Sequence, residues 1–360
     1  MTTGRGTSAA PRRGDRVVSR ARRDAPCLAS PRPTDAGQQS PRQATPRLLA
    51  TRSRPLDEVC RFNLATITIE YVSEPKLAMD PVTIANTSTR TGDRHHEVEM
   101  PMFGLGVYLM GKPGECKSSV LYALKQGYRM IDTAMAYGNE HEVGEAIRES
   151  ALPREDLFIV TKLRTPHATG YEDTIQRCQE SLENLGLEQM DLYLVHSPPK
   201  DPNARASVWQ GMEACLSNGW TRSIGVSNYG AHHLDAMLSY ADVMPSVNQI
   251  EVNPWLQRPA LRAATEGVGA TVMAYSPLAR AHKISDRGIT EIAASLGCTP
   301  AQAAIKWCLD AGAITIPKSS NPARISENLA ALEVDLSGTE EAFAALEESY
   351  VSGWDPTSEP

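Results

Sequence analysis

From Gly104 onward the chain repeats one unit: a short apolar run suited to a buried strand, then a longer stretch with apolar residues at helical spacing. The runs are GLGV (104–107), MIDTA (130–134), LFIVTK (157–162), DLYLVH (191–196), RSIGVSN (222–228), SVNQIEV (246–252), TVMAYS (271–276) and AITIPK (313–318), eight in all. Helical stretches between them include 118–127, 140–150, 171–186 and 205–218, and in the third Ile175, Cys178, Leu182 and Leu185 fall on one face. Gly127 and Gly186 close two of them, as glycine commonly does at helix C-termini. Strands that alternate with helices pair in parallel, because each helix carries the chain back to the same end of the sheet. Eight such units imply an α/β fold closed into a (β/α)8 TIM barrel. The alternative is an open doubly wound sheet. A dinucleotide-binding sheet of that kind would carry G-x-G-x-x-G after its first strand. Here GLGVYL lacks the third glycine and leads into no immediate helix.

The segment before the repeat differs in kind. Residues 1–55 hold 12 Arg and 3 Asp with no Lys, set among Pro, Ser and Thr. Such a segment buries too little apolar surface to offset its ordering entropy, so residues 1–78 are expected to form a disordered extension and residues 79–360 the barrel. An Arg-rich, acid-poor leader is also the composition of a transit peptide. Met79 offers an alternative start. The VTI at 82–84 and the HEVEM at 96–100 are expected to pair as a short hairpin flooring the barrel. Beyond residue 55 the chain carries 24 basic and 40 acidic residues, and this acidic body lacks the basic face that nucleic acid requires. Seven cysteines without a C-x-x-C pair read as reduced intracellular thiols and not as a zinc site. No run reaches the length of a membrane span. The expected location is cytoplasmic, or a mitochondrion or plastid if residues 1–78 direct import.

Four polar residues sit at or near the ends of apolar runs: Asp132 in YRMID, Tyr137 five residues later, Lys162 closing LFIVTK and His196 closing DLYLVH. The carboxyl ends of the strands are where α/β barrels keep their chemistry. A phenol, an ammonium, a carboxylate and an imidazole form a proton-donating set, which points to reduction of a carbonyl. Tyr137 is the expected proton donor. A phenol with a pKa near 10 is a reluctant acid, and Lys162 is expected to ease its proton release. Asp132 would hold Lys162, and His196 would orient the carbonyl or share its proton. Taken singly, each residue also has a plain structural reading: a rim ion pair, a strand end, an amphipathic loop tyrosine.

At these motifs the chain resembles the aldo-keto reductase superfamily. The resemblance runs from about Val82 to Trp354 and is carried by GYRMIDTAMAYGNEHEVGEAI (127–147), LFIVTKL (157–163), DLYLVHSP (191–198), IGVSNY (224–229), VNQIEVNPW (247–255), AYSPLA (274–279) and IPKSSNPARISENL (316–329). It implies the barrel fold and NADPH-dependent reduction of aldehydes and ketones, with Asp132, Tyr137, Lys162 and His196 as the catalytic set. It further implies that Ser227, Asn228 and Gln249 meet the nicotinamide carboxamide and that Tyr275 stacks on its ring. By the same resemblance Ser276 and Leu278 belong to the pyrophosphate loop, Lys318, Ser319 and Arg324 surround a 2′-phosphate, and Glu327 and Asn328 lie at the adenine. Two cations after the eighth strand independently suit a phosphate, which favours NADP over NAD.

The chain departs from the family pattern in its pocket walls. Tyr108 stands where a Trp is common, and Ser197 follows the catalytic His where another Trp is frequent. Met110, Trp220 and Trp255 are further candidates, although Trp220 precedes a strand and reads rather as structural. The loop 278–286 is short, and the tail SGWDPTSEP ends without a long carboxyl-terminal loop, so an open site with weak discrimination among small carbonyls is expected. The partner is a small-molecule carbonyl substrate, and the resemblance favours a monomer. Two other functions fit the same residues: an NADPH-binding regulatory subunit, and a Schiff-base lyase using Lys162.

Overall fold

The computed structural model describes residues 79–165 and 169–360, so the expectations for residues 1–78 fall outside the described residues. A hairpin comes first, β1 (Val82–Thr87) and β2 (Arg94–Met100). Eight strands follow: β3 (Leu105–Gly106), β4 (Met130–Asp132), β5 (Phe158–Leu163), β6 (Met190–Val195), β7 (Thr221–Ser227), β8 (Val247–Glu251), β9 (Thr271–Tyr275) and β10 (Ile314–Ile316). They lie side by side in chain order and pair in parallel. The ends of the sheet meet. Gly104 N donates to Thr315 O at 3.1 Å, Gly106 N to Pro317 O at 3.1 Å, and Thr315 N to Met102 O at 2.8 Å. On the side facing β4, a β-carbon at Gly104 would lie 2.6 Å from Met130 Cε and 2.9 Å from Met130 O, so only glycine permits that close approach.

Helices occupy the intervals: α1 (Glu115–Gln126), α2 (Glu140–Ser150), α3 (Tyr171–Leu185), α4 (Pro202–Ser217), α5 (Ala231–Met237), α6 (Pro259–Gly267), α7 (Arg287–Leu296), α8 (Pro300–Asp310), α9 (Pro322–Leu329) and α10 (Glu340–Ala344). Their starts are chemically marked. Asp201, Asp286, Thr299 and Asn321 each accept a backbone N–H of the first turn, and Pro occupies the first turn of α4, α8 and α9. The α4 helix begins three residues before the expected 205, because Asp201-Pro202 is itself a start signal. In α3 the expected stripe faces inward: Cys178, Leu182 and Leu185 are buried and Ile175 packs against them.

The expected hairpin forms and is longer than its two motifs, with Val82 opposite Met100 and Ile84 opposite Val98. Ile84, Val98 and Met100 share one buried cluster with Met130, Phe158, Val247 and Ile314, the first residues of β4, β5, β8 and β10. The hairpin therefore closes the amino-terminal end of the barrel. Asn86 pins it there: its buried amide donates to Ile224 O and Met244 O, each at 2.9 Å, and accepts from Ser223 Oγ at 2.9 Å. With that end plugged, the carboxyl ends of the strands are left to form a cleft.

Candidate active site

Each of the four sequence-selected residues lies at the open end. Asp132 is the last residue of β4, Lys162 the penultimate residue of β5, and His196 directly follows β6. Tyr137 ends a single 3-10 turn, Met135–Tyr137, that leaves β4. Lys162 Nζ donates to Asp132 Oδ1 at 2.6 Å and to Thr133 O at 2.8 Å, with both side chains buried. Gln249 Nε2 donates to the other carboxylate oxygen at 2.8 Å. Burial pushes the Asp132 carboxyl up and the Lys162 ammonium down, and at this distance each opposes that effect on the other. The pair therefore ionises together.

The Lys162 ammonium lies 5.1 Å from the centroid of the Tyr137 ring, and the His196 ring meets Tyr137 edge-on at 5.5 Å. The Tyr137 hydroxyl and the His196 ring nitrogens make no hydrogen bond among the described residues, and both side chains line the cleft. Burial, then the Asp132 carboxylate, holds the Tyr137 phenol well above the usual 10. That rise is an effect of burial, separate from the help that Lys162 is expected to give the departing proton. Lys162 has already spent two of its N–H groups on Asp132 and Thr133. Burial, and next the Lys162 charge, hold His196 down to about 3. Near neutrality the site thus presents a protonated phenol beside a neutral imidazole. Of the two roles open to His196, hydrogen bonding to a carbonyl fits this state and proton donation does not.

A flat pH profile follows. The phenol keeps its proton below its raised pKa, and the imidazole stays neutral above its lowered one. With substrate saturating, kcat is expected to vary less than about threefold between roughly pH 5 and pH 9. A pH–rate profile with an ionisation near 6.5 would show His196 titrating and contradict this.

The cleft has a volume of about 890 Å³. Its lining joins Asp132, Tyr137 and His196 to Tyr108, Ser227, Asn228, Gln249, Tyr275, Ser276, Leu278, Lys318, Ser319, Arg324, Glu327 and Asn328. Nearly every residue selected from sequence is therefore brought to one surface. Ser227 sits beside Gln249 in the β7–β8 register, and its hydroxyl donates to Gln249 O at 2.8 Å. Asn228, held at a φ of 63°, donates to His196 O at 2.9 Å and accepts from Tyr275 Oη at 2.8 Å. The Gln249 side-chain carbonyl takes no donor among the described residues, so this shelf keeps one acceptor facing the cleft. Lys318 and Arg324 also line the cleft, exposed near the start of α9, and neither has an ion pair among the described residues.

Three pocket-wall candidates end elsewhere, and Trp220 takes the structural place that its position before a strand suggests. Ser197 is buried, and its hydroxyl shares a 2.7 Å hydrogen bond with Thr165 Oγ1 away from the cleft lining. Met110 and Trp255 are core residues, and Trp220 packs against the core just before β7. Conversely, the lining includes Leu109, Arg280 and Trp354, which sequence reading did not select. The tail supplies Trp354. It is tied to the rim by Arg258, which pairs with Asp355 at 2.8 Å, and by Glu251, which accepts from Ser352 N at 3.2 Å. The tail is short, yet it forms part of the site.

A barrel whose polar groups converge at the carboxyl ends of its strands is built as an enzyme. Residues 112–350 match the Aldo/keto reductase family. An aldo-keto reductase of Mycolicibacterium vanbaalenii is 43% identical over 248 residues, covering 69% of this chain and 88% of that protein. The glyoxal reductase of Bacillus subtilis is 42% identical over 243 residues, covering 68% and 87%. A crystal structure of a Bombyx mori aldo-keto reductase in complex with NADP superposes with a TM-score of 0.67 at 30% identity, covering 76% of this chain and 95% of that one. This chain belongs to the aldo-keto reductase family of oxidoreductases.

Proposed function

We propose that this protein reduces aldehydes and ketones to alcohols with NADPH, and that Tyr137 gives the proton. The observation that carries the reading is the unpartnered, protonated Tyr137 phenol facing the cleft beside a neutral His196 and a buried Lys162–Asp132 pair. The cleft's chemistry suits the cofactor: two free cations at one end, the Tyr275 ring and the Ser227–Asn228–Gln249 shelf at the other. Lys318 and Arg324 would hold the 2′-phosphate, with Ser319 beside them and Glu327 and Asn328 at the adenine. Ser276 and Leu278 would lie along the pyrophosphate, Tyr275 against the nicotinamide ring, and the shelf at its carboxamide. The bound cofactor supplies a hydride to the carbonyl carbon.

The chain's own residues handle the oxygen. His196, neutral, donates a hydrogen bond that orients the carbonyl. Tyr137 passes its proton to the oxygen as negative charge develops there, and solvent reprotonates the phenolate. Lys162 stabilises that phenolate as it forms, a role its 5.1 Å distance to the ring permits even though the resting phenol has a raised pKa. A Schiff-base reading fits poorly, because Lys162 is fully buried and already bonded to Asp132 and Thr133. The name of the Bacillus relative supports small aldehydes as substrates. The Bombyx complex supports NADP as the cofactor.

Cofactor choice is testable apart from turnover. Replacing both Lys318 and Arg324 with Ala is expected to weaken NADPH binding by roughly 30- to 300-fold, the scale of two lost phosphate contacts. NADH affinity should change less than about threefold. Fluorescence titration with each nucleotide reads both values, and equal losses for the two would show that the cations do not read the 2′-phosphate.

A further inference from the structure

We infer that Arg280 makes this site prefer carbonyl compounds that carry a carboxylate at the end remote from the reacting carbon. The inference rests on the reductase reading above and adds a substrate class to it.

Three exposed apolar side chains line the cleft together with Arg280. Tyr108, Leu109 and Trp354 line it and are 43%, 70% and 56% exposed, which makes them three of the five large hydrophobic side chains that face solvent among the described residues. The Arg280 guanidinium stands among them, its central carbon 5.8 Å from the Tyr108 ring centroid. The Tyr108 ring in turn lies 5.0 Å from the Tyr137 ring. Arg280 therefore stands beside the ring that neighbours the proton donor. Its charge reaches the phenol: burial and Asp132 raise the Tyr137 pKa, and Arg280 opposes them.

Arg280 is exposed, and two features of its surroundings shape where it stands. Gly353 leaves room for it, since a β-carbon there would lie 2.7 Å from Arg280 Cζ. The backbone also holds Ala279, Arg280 and Ala281 at φ values of 46°, 53° and 64°, an unusual run for residues that are not glycine. Arg280 forms no ion pair among the described residues, and only a longer-range attraction links it to the Glu251 carboxylate. A cation without a paired carboxylate among those residues, one ring away from the reacting tyrosine, suits an anion supplied by the ligand. A carbonyl at Tyr137, a short apolar chain along Tyr108 and a carboxylate at Arg280 would use all three. This narrows the weak discrimination that the short tail leads one to expect. Neutral carbonyls would enter, and anionic ones would be favoured.

The same cation could instead serve the cofactor's pyrophosphate, and the test separates the two sources of anion. Succinic semialdehyde and butanal have four carbons each and differ by the carboxylate. With NADPH saturating, the wild-type protein is expected to show a kcat/KM for the acid at least about tenfold above that for butanal, the scale of one charge-assisted hydrogen bond. Arg280→Met should bring the ratio close to one, and Arg280→Lys should retain part of it. The NADPH Kd, read by fluorescence, should move less than about threefold in either variant. A wild-type ratio near one, a ratio unchanged in Arg280→Met, or a large loss of NADPH affinity with the ratio intact would each overturn the inference. Failure to reduce both aldehydes would overturn the reductase reading itself, and the inference with it.

Discussion

Tyr137→Phe is expected to lower kcat by about 10²- to 10⁴-fold, the range for loss of a positioned general acid, while the NADPH Kd changes less than about threefold. The structure makes this substitution unusually clean. The Tyr137 hydroxyl has no hydrogen-bond partner among the described residues, so its removal strands no donor or acceptor in the protein. The ring keeps its packing against Tyr108 and His196 at 5.0 and 5.5 Å. Thermal stability should therefore stay near wild type, and the whole effect should fall on the proton-transfer step. Steady-state turnover, a nucleotide titration and a melting curve on the same preparation check all three parts. Near-normal turnover would remove Tyr137 from the chemistry.

Lys162→Met should lower both activity and stability, and the two losses can be pulled apart. The substitution leaves the buried Asp132 carboxylate without its ammonium at 2.6 Å. Removing one member of a buried ion pair costs about 3–5 kcal/mol. It also removes the charge that would receive the forming phenolate, so kcat should fall by at least about a hundredfold. The double variant Asp132→Asn with Lys162→Met removes the stranded charge and should regain part of the stability, as coupled neighbours do. It should regain none of the turnover. Denaturant unfolding and kinetics on the single and double variants decide the matter. If stability and activity recover together, the pair is a structural rim bridge and nothing more.

Much of the fold was legible because local and global signals agree. The eight apolar runs became eight parallel strands, and the two hairpin motifs paired with each other, since a period-two or fully apolar run has few other places to go. The site was legible for a related reason. Its residues sit at strand ends, and the barrel brings every strand end to one face. Distant contacts were harder to read. Arg280 and Gly353 come together where the tail folds back over the rim through Arg258–Asp355 and Glu251–Ser352. Nothing in the local spacing of SGWDP announces that. Ser197 adjoins a site residue in sequence but turns its hydroxyl to Thr165. Trp255 looked like a pocket wall because it is aromatic and follows a site strand, yet it is wholly buried in the core. The burial that raises the Tyr137 pKa was not legible, because a charge can be counted in a sequence and burial cannot.

Hydride transfer itself is the point to test most directly. The purified protein would be incubated with butanal and NADPH deuterated at both C4 positions of the nicotinamide, with the product alcohol analysed by mass spectrometry. The expected result is butanol carrying one deuterium on its carbinol carbon, formed in equal amount to the NADPH consumed. Tight NADPH binding with no butanol and no loss of the nicotinamide absorbance, across a panel of small aldehydes, would contradict it and make the protein an NADPH-binding barrel without reductase chemistry.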